Sequence, residues 1–280
     1  MTETLWTSNQ VSSVTRGKST GTWKAVGVSI DTRTIKRGDI FIAITGKRDG
    51  HEFVEEAFKK GASVAIVSTV PKNIEKEKPL LIVKDVLTAL HNMASFSVRR
   101  SKAKIIAITG SVGKTTSKDM MALALQNFGK VHRAEKSFNN HIGLPLTLAR
   151  APVDSDYIVL ELGMSKKGEI SPLSILASPH IALITNVSAA HLASFNAINE
   201  IAKEKSNICI GLRKPRICVV SRDSECYDGL LRNVKKHAES VITYGETGAP
   251  NYQLSKTVSK NNITCARALI RGDKDFYFKI

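Results

Sequence analysis

Residues 104–116 read Lys104-Ile105-Ile106-Ala107-Ile108-Thr109-Gly110-Ser111-Val112-Gly113-Lys114-Thr115-Thr116, and this stretch decides the fold. Lys104 to Ile108 is rich in isoleucine and free of proline and glycine, the composition of a strand buried in a parallel sheet. A glycine-punctuated turn follows. Ser117 to Asn127 then reads as a helix, with MMALAL (120–125) supplying its apolar face. Strand, glycine loop, Gly-Lys-Thr and helix, in that order, make a phosphate site. The glycines let backbone N–H groups converge on an anion, and the helix N-terminus adds partial positive charge. In such a site Lys114 reaches the β and γ phosphates and the Thr115 hydroxyl ligates Mg²⁺. Ile108 stands where the usual pattern has its first glycine, so the motif is a variant ATP-binding P-loop. The competing reading is a tight strand–helix turn that happens to contain Gly-Lys-Thr. The flanking strand and helix weigh against it.

At 280 residues the chain is long enough for two domains, and 42% apolar residues is ordinary for a globular protein. No run approaches the ~18 apolar residues of a membrane span, and the opening MTETLWTSNQ has no signal-peptide core. The four cysteines (Cys209, Cys218, Cys226, Cys265) show no C-x-x-C spacing, which fits a cytoplasmic enzyme with free thiols. The formal net charge of +16 raises a nucleic-acid partner. Against it, the lysines are scattered, aromatics are only 6%, and no RRM, KH, helix-turn-helix or zinc-finger signature is present. A basic surface suited to polyanionic small molecules is the better reading.

Residues 1–84 read as a first unit, and 85–280 as a second. In the first, strands are expected at Trp23–Ile30, Ile40–Ile44, Ser63–Val67 and Leu80–Val83, with a helix from Glu52 to Lys60 capped by Gly61. Polar loops follow two of these strands. They hold Asp31, Arg33, Arg48 and His51, for which surface and binding roles are both open. Asp85 to Arg100 reads as a helix joining the units. After the P-loop the chain alternates strand and helix, which predicts a doubly wound, mainly parallel sheet. Strands are expected at Tyr157–Leu160, Ile181–Thr185, Ile217–Val220 and Val241–Tyr244, a helix over Ala197–Ile210, and a terminal hairpin from Ile263. Ligands bind such sheets at the carboxyl ends of the strands. Gly110, Glu161, Asn186 and His191 therefore share one edge, although each alone reads as readily as a cap or a loop residue.

Six stretches then point to a family. They are GVSIDTR (27–33), Gly38-Asp39-Ile40-Phe41 with Asp49-Gly50-His51, TGSVGKTT (109–116), SFNNHIGLP (137–145), Glu161-Leu162-Gly163-Met164, and Thr185-Asn186-Val187 leading to Ala190-His191-Leu192. In this order the chain resembles the Mur ligase family, and within it the members that add D-alanyl-D-alanine to UDP-N-acetylmuramoyl-tripeptide. The resemblance covers residues 1 to about 212. It implies a small UDP-precursor-binding domain, a P-loop ligase domain that is incomplete here, and ATP with Mg²⁺. No nucleic-acid partner or membrane span is implied, and a monomer is expected.

Carried over residue by residue, the resemblance gives the precursor Ser29, Asp31, Thr32, Arg33, Thr45, Gly46, Arg48, Gly50, His51 and Asn140. It gives the nucleotide Thr109, Gly110, Ser111, Val112, Gly113, Lys114, Thr115, Thr116 and Asn139. Lys114, Glu161, His191 and Lys205 would be catalytic, with Thr115, Glu161, His191 and Lys205 at the metals. Lys205 matches a lysine that is carbamylated in the family, the change that turns a cation into an anion able to hold a second Mg²⁺.

The implied reaction has two steps. A carboxylate of the precursor attacks the ATP γ-phosphoryl group to give an acyl phosphate, and the dipeptide amine then displaces phosphate. Ser188, Ala193 and Asn207 depart from the family's usual residues. The family's C-terminal domain is not in this sequence, so the expectation is a shortened chain that does not ligate at a useful rate. Two other readings stay open: a binding fragment without ligase activity, and a basic P-loop ATPase acting on nucleic acid.

Overall fold

A computed structural model describes residues 3–46, 48–72, 74–135, 137–189, 195–260, 263–270 and 274–279. In chain order the elements are β1 (Trp6–Thr7), α1 (Ser8–Thr15), β2 (Lys18–Ser19), β3 (Lys24–Ala25), β4 (Gly27–Ser29), β5 (Asp39–Ile42), α2 (Val54–Lys59), β6 (Val64–Val67), β7 (Leu80–Ile82) and α3 (Val86–Arg100). Then come β8 (Lys104–Thr109), α4 (Lys114–Leu125), β9 (Val131–Arg133), α5 (Gly143–Ala149), β10 (Tyr157–Glu161), α6 (Ile170–Ala177) and β11 (Ile181–Ile184). The chain closes with α7 (Ile198–Ser206), β12 (Ile217–Ser221), α8 (Tyr227–Val234), β13 (Ser240–Gly245), β14 (Tyr252–Lys260), β15 (Ile263–Ile270) and β16 (Lys274–Lys279).

Two compact units result, Met1–Ala103 with His141–Asp156, and Lys104–Asn140 with Tyr157–Ile280. This differs from a division at residue 84. Asp85 precedes α3 as its N-cap, and its carboxylate accepts from Thr88 N at 2.6 Å. The helix then packs on α1 and α5. The insertion 141–156 is tied into the same unit: Trp6 Nε1 donates to Ala149 O at 2.9 Å, and Arg150 Nε to Val28 O at 2.6 Å. These contacts join residues far apart in sequence, so no local pattern announces them. A fragment ending at residue 84 would lack both helices.

The first unit holds a five-stranded sheet of order β2-β7-β6-β5-β4, parallel from β4 to β7, with β2 antiparallel at its edge. Phe41, Ala43, Val54, Ala57, Ala65 and Val67 form a buried cluster under α2. The strand expected at Trp23–Ile30 is divided between two sheets. β3 pairs with β1, and β4 pairs with β5. The helix expected from Glu52 begins as a 3-10 turn, Gly50–Phe53, before α2. Gly61 ends it at φ +97, a conformation that favours glycine.

The second unit is a nine-stranded sheet of order β16-β15-β14-β13-β12-β11-β8-β10-β9. From β9 to β14 the pairs are parallel, as the alternating pattern predicts. The last two pairs are antiparallel, including the expected terminal hairpin. β8 lies between β10 and β11, buried from Ile105 to Thr109. α4 begins at Lys114, earlier than the expected Ser117, because Gly113 at φ 78 turns the chain straight into the helix. The helix expected over Ala197–Ile210 is α7 followed by a 3-10 turn, Asn207–Cys209. Among the described residues no helix is long and apolar enough to cross a membrane.

Candidate functional site

In the second unit the P-loop leaves the end of β8 and enters α4. Gly110 lies so close to Thr185 that a Cβ would overlap the Thr185 hydroxyl. The close approach requires glycine. The loop is backed along its length: Ser111 N donates to Asn186 O at 2.8 Å, and Thr185 Oγ1 to Val112 O at 2.6 Å. Ser111 Oγ donates to Ser188 O and accepts from Ser188 N, both at 3.0 Å. The Ser111 hydroxyl is thus spent on holding the loop. Lys114 folds back over it, with Nζ 2.9 Å from Gly110 O and 3.4 Å from Ser111 O.

Beside the loop, Glu161 ends β10 and is 1% exposed. Its carboxylate is shared, Oε2 accepting from Thr115 Oγ1 at 2.8 Å and Oε1 from Asn139 Nδ2 at 2.7 Å. Lys205 in α7 is also 1% exposed. Burial first, and then repulsion by the Lys114 charge, pull its pKa down to about 7, while Glu204 opposes the shift. The structure therefore brings Thr115, Asn139 and Glu161 together beside the P-loop lysine Lys114, and sets Lys205 of α7 near enough to feel the Lys114 charge. His191 lies outside the described residues. Asn140 is exposed beside Asn139.

A hydroxyl and a carboxylate at hydrogen-bond distance are hard oxygen donors, the kind Mg²⁺ takes. Among the described residues no cluster of three His, Cys, Asp or Glu side chains gathers. The donor set is a mixed one, built on Thr115 and Glu161. These residues fit Mg²⁺ bound with a nucleotide phosphate.

The first unit has its own cavity, of about 590 Å³, lined among others by Thr45, Asp49, His51, Glu52, Ser68 and Thr69. Asp49 Oδ1 accepts from Thr45 Oγ1 at 3.1 Å, His51 N at 3.0 Å and the His51 ring at Nδ1, 2.7 Å away. The backbone N–H of His51, and then its ring, hold the Asp49 carboxyl below the usual range. His51 Nε2 accepts from Ser68 N at 2.9 Å. Both ring nitrogens are engaged, so His51 pins the loop to the end of β6.

Of the residues expected to meet a precursor, Thr45 and His51 line this cavity. Ser29, Asp31, Thr32 and Arg33 do not. Arg33 closes on Asp31 instead, with Nη2 2.6 Å from Oδ2, and its side chain is 81% exposed. Arg48 stacks over Phe53 at 4.6 Å. At Gly50 a Cβ would come within 2.6 Å of backbone atoms of Ala43 and Ile44. Ser68 and Thr69 were not singled out from sequence. They follow strand Ser63–Val67, and the strand-end rule applied there would have found them.

A P-loop at the carboxyl edge of a parallel sheet, with an oxygen-donor pair beside it, defines a nucleotide-binding α/β protein. The comparisons with known proteins are more specific. The Mur ligase middle domain matches residues 108–272, and the catalytic domain of the Mur ligase family matches residues 24–100. The chain belongs to the Mur ligase family. It is 37% identical over 228 residues to the UDP-N-acetylmuramoyl-tripeptide–D-alanyl-D-alanine ligase of Rickettsia prowazekii, covering 81% of this chain and 51% of that protein. Against the protein of that name in Bacillus subtilis the identity is 38% over 253 residues, covering 90% and 54%. Among solved structures, MurF from Acinetobacter baumannii superposes with a TM-score of 0.86 at 26% identity, over 98% of this chain and 60% of that one. MurF from Thermotoga maritima in complex with ADP gives 0.75 at 26% identity, over 90% and 57%. The chain spans about half the length of the curated relatives it matches.

Proposed function

We propose that this chain supplies the precursor-binding and nucleotide-binding parts of a cytoplasmic ATP-dependent ligase that joins D-alanyl-D-alanine to UDP-N-acetylmuramoyl-tripeptide. The observation that carries the reading is the Glu161 carboxylate held between Thr115 and Asn139, beside the P-loop that bears Lys114. The names of the relatives supply the substrates.

On this reading the precursor enters through the cavity at Thr45 and His51 in the first unit. Lys114 swings from its loop carbonyls to the β and γ phosphates and neutralises charge as the phosphoryl group is transferred. Thr115 and Glu161 would hold Mg²⁺, which would supply charge to offset that of the phosphates. Asn139 keeps the Glu161 oxygens aimed. The acyl phosphate formed from the precursor carboxylate is then attacked by the dipeptide amine, and the chain's contribution to both steps is positioning.

Lys205 has a chemical reason to be carbamylated. An amine whose pKa is about 7 is substantially unprotonated at neutral pH and so has a lone pair for CO₂. Nζ forms a bond to the CO₂ carbon, one C=O electron pair moves to oxygen, and Nζ loses a proton. The carbamate anion replaces a buried cation beside Lys114, and this removes the repulsion between them.

Calorimetry of the 280-residue chain with Mg·ADP and with the UDP-precursor tests both sites, and no heat with either ligand would overturn the reading. Phosphate release with mass-spectrometric detection of the pentapeptide, with and without D-alanyl-D-alanine, separates ligation from binding alone. Mass spectrometry after ¹³CO₂ trapping tests Lys205 without requiring activity.

A further inference from the structure

α4 carries a second lysine one turn beyond the P-loop. Lys118 is 2% exposed, and its spacing of four puts it on the same helix face as Lys114. Taking an ammonium out of water is costly unless its donors are used. Lys118 Nζ donates to Ala134 O at 2.9 Å, with Asp119 Oδ1 3.5 Å away. Ala134 directly follows β9, and its N–H reaches Val159 O in β10 at 3.3 Å. From that anchored point the chain runs to Asn139. There the side chain holds Glu161 Oε1, and the carbonyl accepts from Gly163 N at 2.8 Å. α4 thus meets Glu161 directly through Thr115, while its Lys118 holds the carbonyl of Ala134, five residues ahead of Asn139.

We propose that Lys118 is a positioning residue for the Asn139–Glu161 pair, setting where the metal-holding carboxylate lies without itself touching nucleotide. This rests on the Mg·nucleotide reading of the site. The sequence gives no hint of it: a lysine at a helical surface spacing reads as solvated, and only the packing of α4 against β8, β9 and β10 buries it.

The test uses the 280-residue chain carrying Lys118→Met, Asn139→Ala or both, with ADP binding measured by calorimetry in Mg²⁺ and in EDTA, and a thermal melt of each variant. Lys118→Met is expected to weaken Mg·ADP binding about tenfold, the scale of one lost buried hydrogen bond. Metal-free ADP binding should be unchanged. The double variant should bind no more weakly than Asn139→Ala alone, because both changes act through one residue. Equal losses with and without Mg²⁺, or additive losses in the double variant, would overturn the proposal. If Lys118→Met melts below the assay temperature, Lys118→Gln is put through the same comparison and read by the same criteria. A wild-type chain that binds no ADP at all would instead remove the nucleotide reading, and the proposal with it.

Discussion

Thr115 Oγ1 donates to Glu161 Oε2 at 2.8 Å, joining the first turn of α4 to the last residue of β10 across 46 positions of sequence. The bond places a hydroxyl and a carboxylate where a hard cation could replace the shared proton. It also ties the P-loop to Glu161, which end neighbouring parallel strands: Glu161 pairs with Ile108, one residue before the end of β8.

Lys114→Ala is expected to reduce nucleotide binding or turnover by at least ~100-fold, the scale of a lost electrostatic contact to a transferring group. Removing the side chain frees the Gly110 and Ser111 carbonyls but leaves no cation for the γ-phosphate. Titration with Mg·ATP and an assay of phosphate release check it. Near-normal values would mean the loop is only a turn.

Gly163→Ala should uncouple the site without unfolding the domain. A Cβ there would come within 2.6 Å of Asn139 Cγ, so the amide must leave Glu161. Weaker Mg·ADP binding with a nearly unchanged melting temperature is the expected pair of results. Unchanged Mg·ADP affinity would show that Asn139 does not matter to the metal site.

His180 should make the fold acid-sensitive. Its Nδ1 accepts from Ile105 N at 2.9 Å, and burial, then the charges of Arg213 and Lys104, pull its pKa from 6.5 down to about 4. The unfolded chain therefore binds the proton more readily between those values. The stability that His180 provides is whole above about pH 6.5 and is lost as pH falls toward about 4. His180→Asn keeps an acceptor and cannot take up the proton, so its melting temperature should fall less steeply over that window. Parallel curves for the two proteins would assign acid sensitivity elsewhere.

Trp6→Phe is expected to cost about 1–3 kcal/mol in chemical denaturation, because it leaves the Ala149 carbonyl buried without its donor. The Arg100 guanidinium, 4.1 Å above the Trp6 ring, also loses its best aromatic partner. A loss within error would mean that the Trp6 hydrogen bond adds nothing measurable to the hold on α5.

What could be read from the sequence was local in its physics. Isoleucine-rich β8, the glycines at 110 and 113, and Lys114-Thr115 specify a strand, an anion-binding turn and a helix from neighbours in the chain alone. Strand ends at Glu161 and Asn186 followed from the same alternation, and six ordered motifs carried the family. Tertiary structure decided what depends on distant neighbours. It divided SFNNHIGLP between two units, sending Asn139 to Glu161 while His141 and α5 packed with α3. It engaged both ring nitrogens of His51, closed Arg33 onto Asp31, and buried Lys118. It also lowered the proton affinity of Lys205 through burial and the charge of Lys114. Desolvation and Coulomb terms are sums over whatever the fold brings near, and no spacing along the chain contains them.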